Sequence, residues 1–450
     1  MIQAVILAGG KGTRMKSLAK NTPKPMLKIG RLPILAHQVE LLRRYGIKDI
    51  VILTHHLSEA IEEYFKDGKD FGVKISYFKE RKPLGTAGGI KEIEDKLKKD
   101  FIIVYGDVMV DMDIARLLRF HRGKKSIATL VLHPNDHPQD SDLVEVDESQ
   151  KIIAFHPKPR PENEPLRNLV NAGLYVISPK VLKHIKKWVK ADFGKDLFPK
   201  MVKKERLYGY VTAEYLKDMG TPKRLAEVKK DYQSGKINRL NRKNKRRAVF
   251  LDRDGVINKA DSDICRINDF KLFPQTAQAI RKINESEFLA IVATNQPAIA
   301  KGFCSMEEVK NIHKKMEALL GEKGAKLDGI YFCPHHPDKG FPGENLKYKI
   351  ECDCRKPKIG MVKKAEKDFN IDLKHSYFVG DSFRDILCGR RAGMTTIGVK
   401  TGRGCRDGNI HPDFLFKNLS EAVNYIIKSK KYDYFSNSIK NEFCGRWNGL

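Results

Sequence analysis

In the run Phe250-Leu251-Asp252-Arg253-Asp254-Gly255-Val256-Ile257-Asn258, an apolar strand-like segment ends on two carboxylates two residues apart, followed by a glycine. Carboxylates at that spacing can face one pocket, where one attacks phosphorus while the other handles the proton. A lone pair of this kind is more often a solvated loop, so the rest of the order decides. Thr294-Asn295-Gln296 closes a second apolar run over 287–293. Arg355-Lys356-Pro357 brings two cations, and Val379-Gly380-Asp381 with Asp385 brings further carboxylates.

Four more residues form two close pairs, Cys333-Pro334-His335 and Cys352-Asp353-Cys354, either side of a polar loop. Three thiolates and one imidazole suit tetrahedral structural zinc, with no position left for water. Buried free cysteines beside a surface histidine would explain single residues but not paired clusters flanking a loop. The second pair runs directly into Arg355-Lys356. Zinc is therefore expected to order the loop that delivers those cations, as scaffold and not as catalyst.

The four ordered motifs resemble the haloacid dehalogenase superfamily of phosphohydrolases. With the zinc clamp, the resemblance narrows to the D-glycero-D-manno-heptose 1,7-bisphosphate 7-phosphatases, whose near relatives are the histidinol phosphatases, and it spans 247–428. The stretch Thr294 to Gly302 is similar to the heptose branch and departs from its pattern at Pro297, Ala298 and Lys301. The stretch from Lys259 to Cys265 lacks the family's tyrosine-containing segment. The resemblance implies Asp252 as nucleophile and Asp254 as acid–base. It also implies Mg²⁺ held by Asp252, Asp254 and Asp381, and a phosphoryl group steadied by Thr294, Asn295, Arg355 and Lys356.

At the other end of the chain, Ala4 to Ala8 reads as a buried parallel strand opening into Gly9-Gly10-Lys11-Gly12-Thr13-Arg14. The glycine spacing fits neither a dinucleotide fingerprint nor a Walker loop. Glycines still let the backbone approach a ligand, and amides beside two cations can cradle phosphate. Thr22-Pro23-Lys24-Pro25-Met26-Leu27 follows. Downstream lie Pro83-Leu84-Gly85-Thr86-Ala87-Gly88, Tyr105-Gly106-Asp107, Asn171-Ala172-Gly173 and Asp218-Met219-Gly220-Thr221-Pro222.

This second order resembles the sugar-1-phosphate nucleotidyltransferases. In such enzymes a sugar phosphate oxygen attacks the α-phosphorus of a nucleoside triphosphate, so positioning and charge neutralisation carry the catalysis. The resemblance implies Arg14 and Lys11 on the leaving pyrophosphate and Lys24 near the α-phosphate. Mg²⁺ would sit on Asp107 and Asp218. Gly9, Gly10, Gly12, Thr13, Gly85, Thr86, Gly88, Lys158, Asn171 and Gly173 would contact nucleotide or sugar. Phe155-His156-Pro157-Lys158-Pro159 keeps the family's lysine but has His156 and Pro157 in place of its glutamate segment. The pair His55-His56 diverges on extended backbone and is expected to be structural or exposed.

Short apolar runs alternate with helical spacing at 38–45, 114–121 and 361–369, the pattern of two doubly wound, Rossmann-like α/β domains. A 450-residue chain has room for both. The expected division is a transferase domain at 1–232, a solvated basic linker at 233–246, a phosphatase domain at 247–428 and a tail at 429–450. Lys and Arg outnumber Asp and Glu by 85 to 56, a net charge of +29. The lysines are dispersed without an aromatic platform, so phosphorylated metabolites are expected and nucleic acid is not. No apolar stretch approaches the roughly 20 residues that cross a bilayer. With a strand at the start instead of an export signal, the cytoplasm is expected. Homo-oligomerisation stays open.

The expectation is a two-step enzyme. The C-terminal half removes the 7-phosphate from a heptose 1,7-bisphosphate, and the N-terminal half couples the remaining anomeric phosphate to GMP from GTP. The alternatives are a mannose-type guanylyltransferase joined to a histidinol-phosphatase-like unit, and a non-catalytic assembly subunit.

Overall fold

The structure, a computed structural model, describes residues 2–10, 22–55, 57–160, 165–260 and 262–438, with side chains through 429. Lys11, Gly12, Thr13 and Arg14 of the expected phosphate loop lie outside the described residues, as do His56 and the tail from 439 onward. The chain divides into two compact units, Met1–Lys245 and Arg246–Leu450. Among the described residues no helix is long and apolar enough to cross a membrane.

The central strand of the first unit is Gln3–Leu7. It pairs in parallel with Asp49–Thr54 and with Phe101–Tyr105, and Lys74–Lys79 extends the parallel part. Beyond Phe101–Tyr105 the sheet turns antiparallel through Val170–Ile177, which also carries Ala128–His133 and touches Leu143–Val146. The parallel part is the expected doubly wound core, and the antiparallel wing is an addition. Alternate residues of the central strand enter different cores. Ala4 and Ile6 pack with Ile52 and Val104, whereas Val5 packs with Leu53 and Ile103. Burial on both faces is why this run reads as continuously apolar. Each such Val or Ile contributes about 1.5–3 kcal/mol by leaving water, so polar function is confined to the strand end.

Of the segment at 233–246, expected to be a solvated linker, the residues up to Lys245 belong to the first unit, while Arg246 bonds to the backbone of Phe369 and Asn370 in the second. Helix Lys236–Arg239 places Ile237 in a small core with Met109, Tyr215 and Val228. Asn241 Nδ2 donates to Asp111 Oδ1 at 2.7 Å, and the Arg242 amide donates to Glu214 at 2.9 Å. The Lys243 ammonium stands 4.1 Å from the centre of the Tyr45 ring. Lys236 is 3.6 Å from Asp231, so an acid and an aromatic ring of the unit face cations of this stretch.

Six parallel strands form the sheet of the second unit, in the order Gly329–Cys333, Leu289–Asn295, Ala248–Leu251, Tyr377–Gly380, Thr395–Val399 and Phe414–Phe416. The order reverses beside Ala248–Leu251, and in such sheets ligands bind outside the carboxyl ends at the reversal. Phe250 and Phe378 stack across it, centroids 6.0 Å apart. The helix Leu419–Ser438 runs through the boundary expected at 428, and its Leu419, Ala422, Val423 and Ile426 belong to the core.

Candidate active sites

Asp252 leaves the end of Ala248–Leu251, where its amide donates to Val379 O at 3.0 Å. Asp381 and Asp385 arrive from the end of the neighbouring strand and the helix Phe383–Arg391. One carboxylate oxygen from each of Asp252, Asp381 and Asp385 lies within 4.8 Å of the others. The buried Lys356 ammonium is 2.9 Å from Asp252 Oδ1 and 2.6 Å from Asp385 Oδ1. Burial, and then the Asp252 charge, push Asp381 up to about 8 and Asp385 up to about 6. One lysine does not balance three carboxylates, so the donor set fits a hard divalent cation such as Mg²⁺. Gly255 makes the close approach possible. At φ +81° a Cβ on it would stand 2.2 Å from Asp381 Oδ2.

Asp254 is not part of that convergence. Its Oδ1 accepts from Arg253 Nε at 3.0 Å and Asn258 Nδ2 at 2.9 Å, and its Oδ2 from Arg253 Nη2 at 2.8 Å and Gln296 Nε2 at 3.0 Å. Burial alone would raise its pKa, but Arg253 and the two amides outweigh it and hold the group below the ordinary carboxylate value. Four donors occupy all of its lone-pair sites. The expectation of Asp254 as a carboxylate ligand of Mg²⁺ therefore gives way, in geometry, to Asp385.

Thr294 is buried at the end of Leu289–Asn295, and its hydroxyl accepts from Gln296 Nε2 at 3.1 Å. Asn295, expected on the phosphate, instead exchanges two bonds with the backbone of Lys356, at 3.0 and 2.9 Å. It positions the lysine. Arg355 donates from Nη1 to the carbonyl of His335 at 3.0 Å.

The four expected zinc ligands come together. Sγ–Sγ separations among Cys333, Cys352 and Cys354 are 3.2–3.5 Å, and His335 Nδ1 is 3.3 Å from Cys354 Sγ. A tetrahedron with bonds of about 2.3 Å would put sulfurs roughly 3.8 Å apart. Small outward shifts would seat the ion. Hydrogen bonding from Cys333 brings the Cys354 thiol down to about 5, so a thiolate is already favoured. All three are free cysteines.

In the first unit, Lys24 starts the short turn Lys24–Met26 and pairs with Asp107. Asp218 ends Tyr215–Asp218, antiparallel to Val108–Asp111, and sits opposite Val108. The Met219 amide donates to Asp107 O at 3.0 Å, so the two expected metal aspartates are neighbours. Arg224 Nη1 lies 2.8 Å from both Asp218 oxygens. Burial would raise the pKa of Asp218, but Arg224 and the Gly220 amide hold it down. Both aspartates are thus cation-paired carboxylates, a donor set that fits Mg²⁺.

Gly9 faces Glu80 and His55, while Gly10 is open. His55 Nδ1 meets Glu80 O at 2.9 Å. Gly85 and Gly88 open the helix Gly85–Glu92, and a Cβ on either would strike the backbone at Ala191 or Val189. Thr86 Oγ1 donates to Asp192 at 2.8 Å. This turn is shaped by its packing on 189–192. Gly173 lies on the Tyr105 ring, Asn171 Oδ1 accepts from the Gly173 amide at 3.2 Å, and the exposed Lys158 donates to Asp140 O.

Several participants escaped the sequence reading. Arg253, between the two aspartates, and Gln296, at the end of its motif, both bond to Asp254. His137, whose Nδ1 is 2.5 Å from Asp136 and whose Nε2 is 4.0 Å from Asp218, had no pattern to mark it.

The Nucleotidyl transferase family model matches residues 3–235, more than half of the chain, and the HAD-hydrolase-like model matches residues 353–422. The UTP–glucose-1-phosphate uridylyltransferase of Synechocystis sp. is 37% identical over 215 residues, covering 45% of this chain and 55% of that protein. The mannose-1-phosphate guanylyltransferase of Mycobacterium tuberculosis is 37% identical over 224 residues, covering 49% and 62%. The chain thus spans little more than half the length of these transferases. The D-glycero-beta-D-manno-heptose-1,7-bisphosphate 7-phosphatase of Haemophilus ducreyi is 38% identical over 184 residues, 40% of this chain and 98% of that protein. Through its first unit the chain belongs to the nucleotidyl transferase family, and through its second to the HAD-like heptose bisphosphate phosphatases.

Proposed function

We propose that the chain carries out two consecutive steps of nucleotide-sugar synthesis. The second unit hydrolyses the 7-phosphate of D-glycero-D-manno-heptose 1,7-bisphosphate. The first then transfers GMP from GTP to the anomeric phosphate that remains. The observation that carries this reading is the union, in one chain, of a nucleotidyl transferase unit with a unit matching nearly the whole length of a 7-phosphatase. The product of one half is a sugar 1-phosphate, the substrate class of the other.

In the phosphatase unit, Asp252 attacks the phosphorus. The bond to the sugar oxygen breaks, and the electron pair leaves on that oxygen, which takes a proton from Asp254. Water then attacks the aspartyl phosphate, Asp254 receives its proton, and phosphate and free Asp252 result. Asp254 rests as an anion, so its first proton arrives with a substrate bound as the monoanion, whose second pKa is about 6. Lys356 and Thr294 steady the transferring group. Asp252, Asp381 and Asp385 would hold Mg²⁺, which when bound neutralises the phosphoryl oxygens. The clamp of Cys333, His335, Cys352 and Cys354 would hold structural zinc.

In the transferase unit no covalent intermediate is needed. Lys24 neutralises charge at the α-phosphate, and Arg14 and Lys11 would hold the leaving pyrophosphate. Gly9, Gly10, Gly12 and Thr13 would line the nucleotide. Asp107 and Asp218 would hold Mg²⁺, for which Lys24 and Arg224 must yield their carboxylates.

The test uses the full chain with heptose 1,7-bisphosphate, Mg²⁺ and either GTP or UTP. Phosphate should be released without any nucleotide, and pyrophosphate should follow only when GTP is present. Pyrophosphate from the bisphosphate without prior phosphate release, or with UTP alone, would sink the order or the base.

A further inference from the structure

Arg253 has no exposed surface and is the largest fully buried side chain among the described residues. A guanidinium so placed is costly unless every donor is used. Here Nε and Nη2 fork onto the two oxygens of Asp254, at 3.0 and 2.8 Å, and Nη1 lies 3.2 Å from His313 Nε2. Arginine has no lone pair to offer, so His313 Nε2 must be the acceptor and its ring proton sits on Nδ1. His313 comes from the helix Met306–Glu322, is almost fully buried, and meets the Phe332 ring edge-on at 5.1 Å.

We propose that Arg253 is the positioning residue for proton transfer at Asp254, and that His313 holds Arg253 in turn. The proposal rests on the reading of the second unit as a phosphatase in which Asp254 is the acid–base. With four donors on its carboxylate, Asp254 can exchange a proton only if one donor withdraws. Asn258 and Gln296 each offer a single amide hydrogen to it, and each can be replaced by the sugar oxygen or by the attacking water. The guanidinium fork makes two bonds in one plane and fixes both position and tilt of the carboxylate. Placement matters at this scale, since a shift of about 1 Å at a reacting group costs roughly 100-fold. His313 supplies the third point that prevents the fork from rotating.

The experiment compares kcat/KM for the sugar bisphosphate and for p-nitrophenyl phosphate, measured as phosphate or nitrophenolate release by the full chain. That constant covers the steps up to cleavage of the first phosphorus–oxygen bond, and an aryl oxide leaves without needing a proton. Arg253→Lys keeps the charge but loses the fork. Its loss on the sugar bisphosphate should exceed its loss on the aryl phosphate by at least ~10-fold, within the range of general acid catalysis. His313→Leu should shift the ratio in the same direction. His313→Gln, whose amide oxygen can accept from Nη1, should restore most of it. Equal losses on both substrates in Arg253→Lys, with Asp254→Asn still leaving-group-dependent, would overturn the assignment of Arg253. If Asp254→Asn were itself indifferent to the leaving group, the acid–base reading beneath it would fall. Should Arg253→Lys not fold, the His313 pair decides, and identical substrate ratios for His313→Leu and His313→Gln would refute the proposal.

Discussion

Arg355 Nη1 donates to the main-chain carbonyl of His335 at 3.0 Å, so a cation next to the phosphatase site is bonded to the backbone of the cluster formed by Cys333, His335, Cys352 and Cys354. Cys354 lies one residue before Arg355 and two before Lys356 in the same stretch. The clamp therefore fixes the path of the chain that inserts Lys356 between Asp252 and Asp385.

From this follows the effect of removing the metal. Metal analysis of the parent protein should find about one zinc per chain, and replacing Cys352 and Cys354 together with serine should abolish it. Phosphate release should fall, because Lys356 loses its anchor, while pyrophosphate release from GTP and a pre-formed sugar 1-phosphate should persist. A zinc-free protein with parental phosphatase kinetics would contradict the coupling.

In the transferase unit, Lys24→Ala and Asp107→Ala should each lower pyrophosphate release by at least ~100-fold, since each removes a charge that stabilises the transition state. Phosphate release is the internal control and should survive both. Full transferase activity of Asp107→Ala with Mg²⁺ would remove Asp107 from the metal assignment.

For the nucleophile, Asp252→Asn should abolish turnover and leave no acid-stable phosphate on the chain after rapid quenching. Asp254→Asn should still become phosphorylated, slowly, with the deficit smaller for an aryl phosphate. Covalent phosphate on the Asp252→Asn protein would move the nucleophile elsewhere.

The docked segment at 236–243 offers a test in stability. Asn241 is buried and donates to Asp111, which also accepts from Arg44 at 3.1 Å, so Asn241→Ala should cost about 1.5–3 kcal/mol for the lost bond to a charged group. Thermal unfolding of the full chain should show the loss in one transition, assigned to the first unit by its protection with GTP. An unchanged profile would mean that the segment is only loosely seated.

What the sequence disclosed were the ends of strands. Asp252, Thr294, Lys356 and Asp381 could be read because buried parallel strands are continuous apolar runs, and chemistry collects where such runs stop. The convergence of Cys333, His335, Cys352 and Cys354 was legible for a similar reason, since paired residues of that kind have little other use. The partners of those side chains were not legible, since they depend on residues brought together from distant elements. Nothing in Arg253 or His313 foretells that they meet across 60 positions. The two bonds between the Asn295 side chain and the backbone of Lys356 have no sign in either motif. Glycine marks close approach without saying of what, and at Gly85 and Gly88 the chain at 189–191 is one such neighbour. In the basic stretch after 233, the partners of Lys236 and Lys243 are Asp231 and Tyr45, and the Tyr45 pairing lies far off in sequence.

The contact between Gly255 and Asp381 gives the phosphatase a single-position off switch. Any side chain at 255 would need the space that an Asp381 oxygen occupies, 2.2 Å away, on a backbone turn that only glycine adopts without strain. Gly255→Ala would thus silence hydrolysis while leaving every acid, lysine and threonine of the site in the chain. Such a protein is a tool as much as a variant: a hydrolysis-silent background in which the transferase can be studied on its own, with none of the charges of the phosphatase site removed.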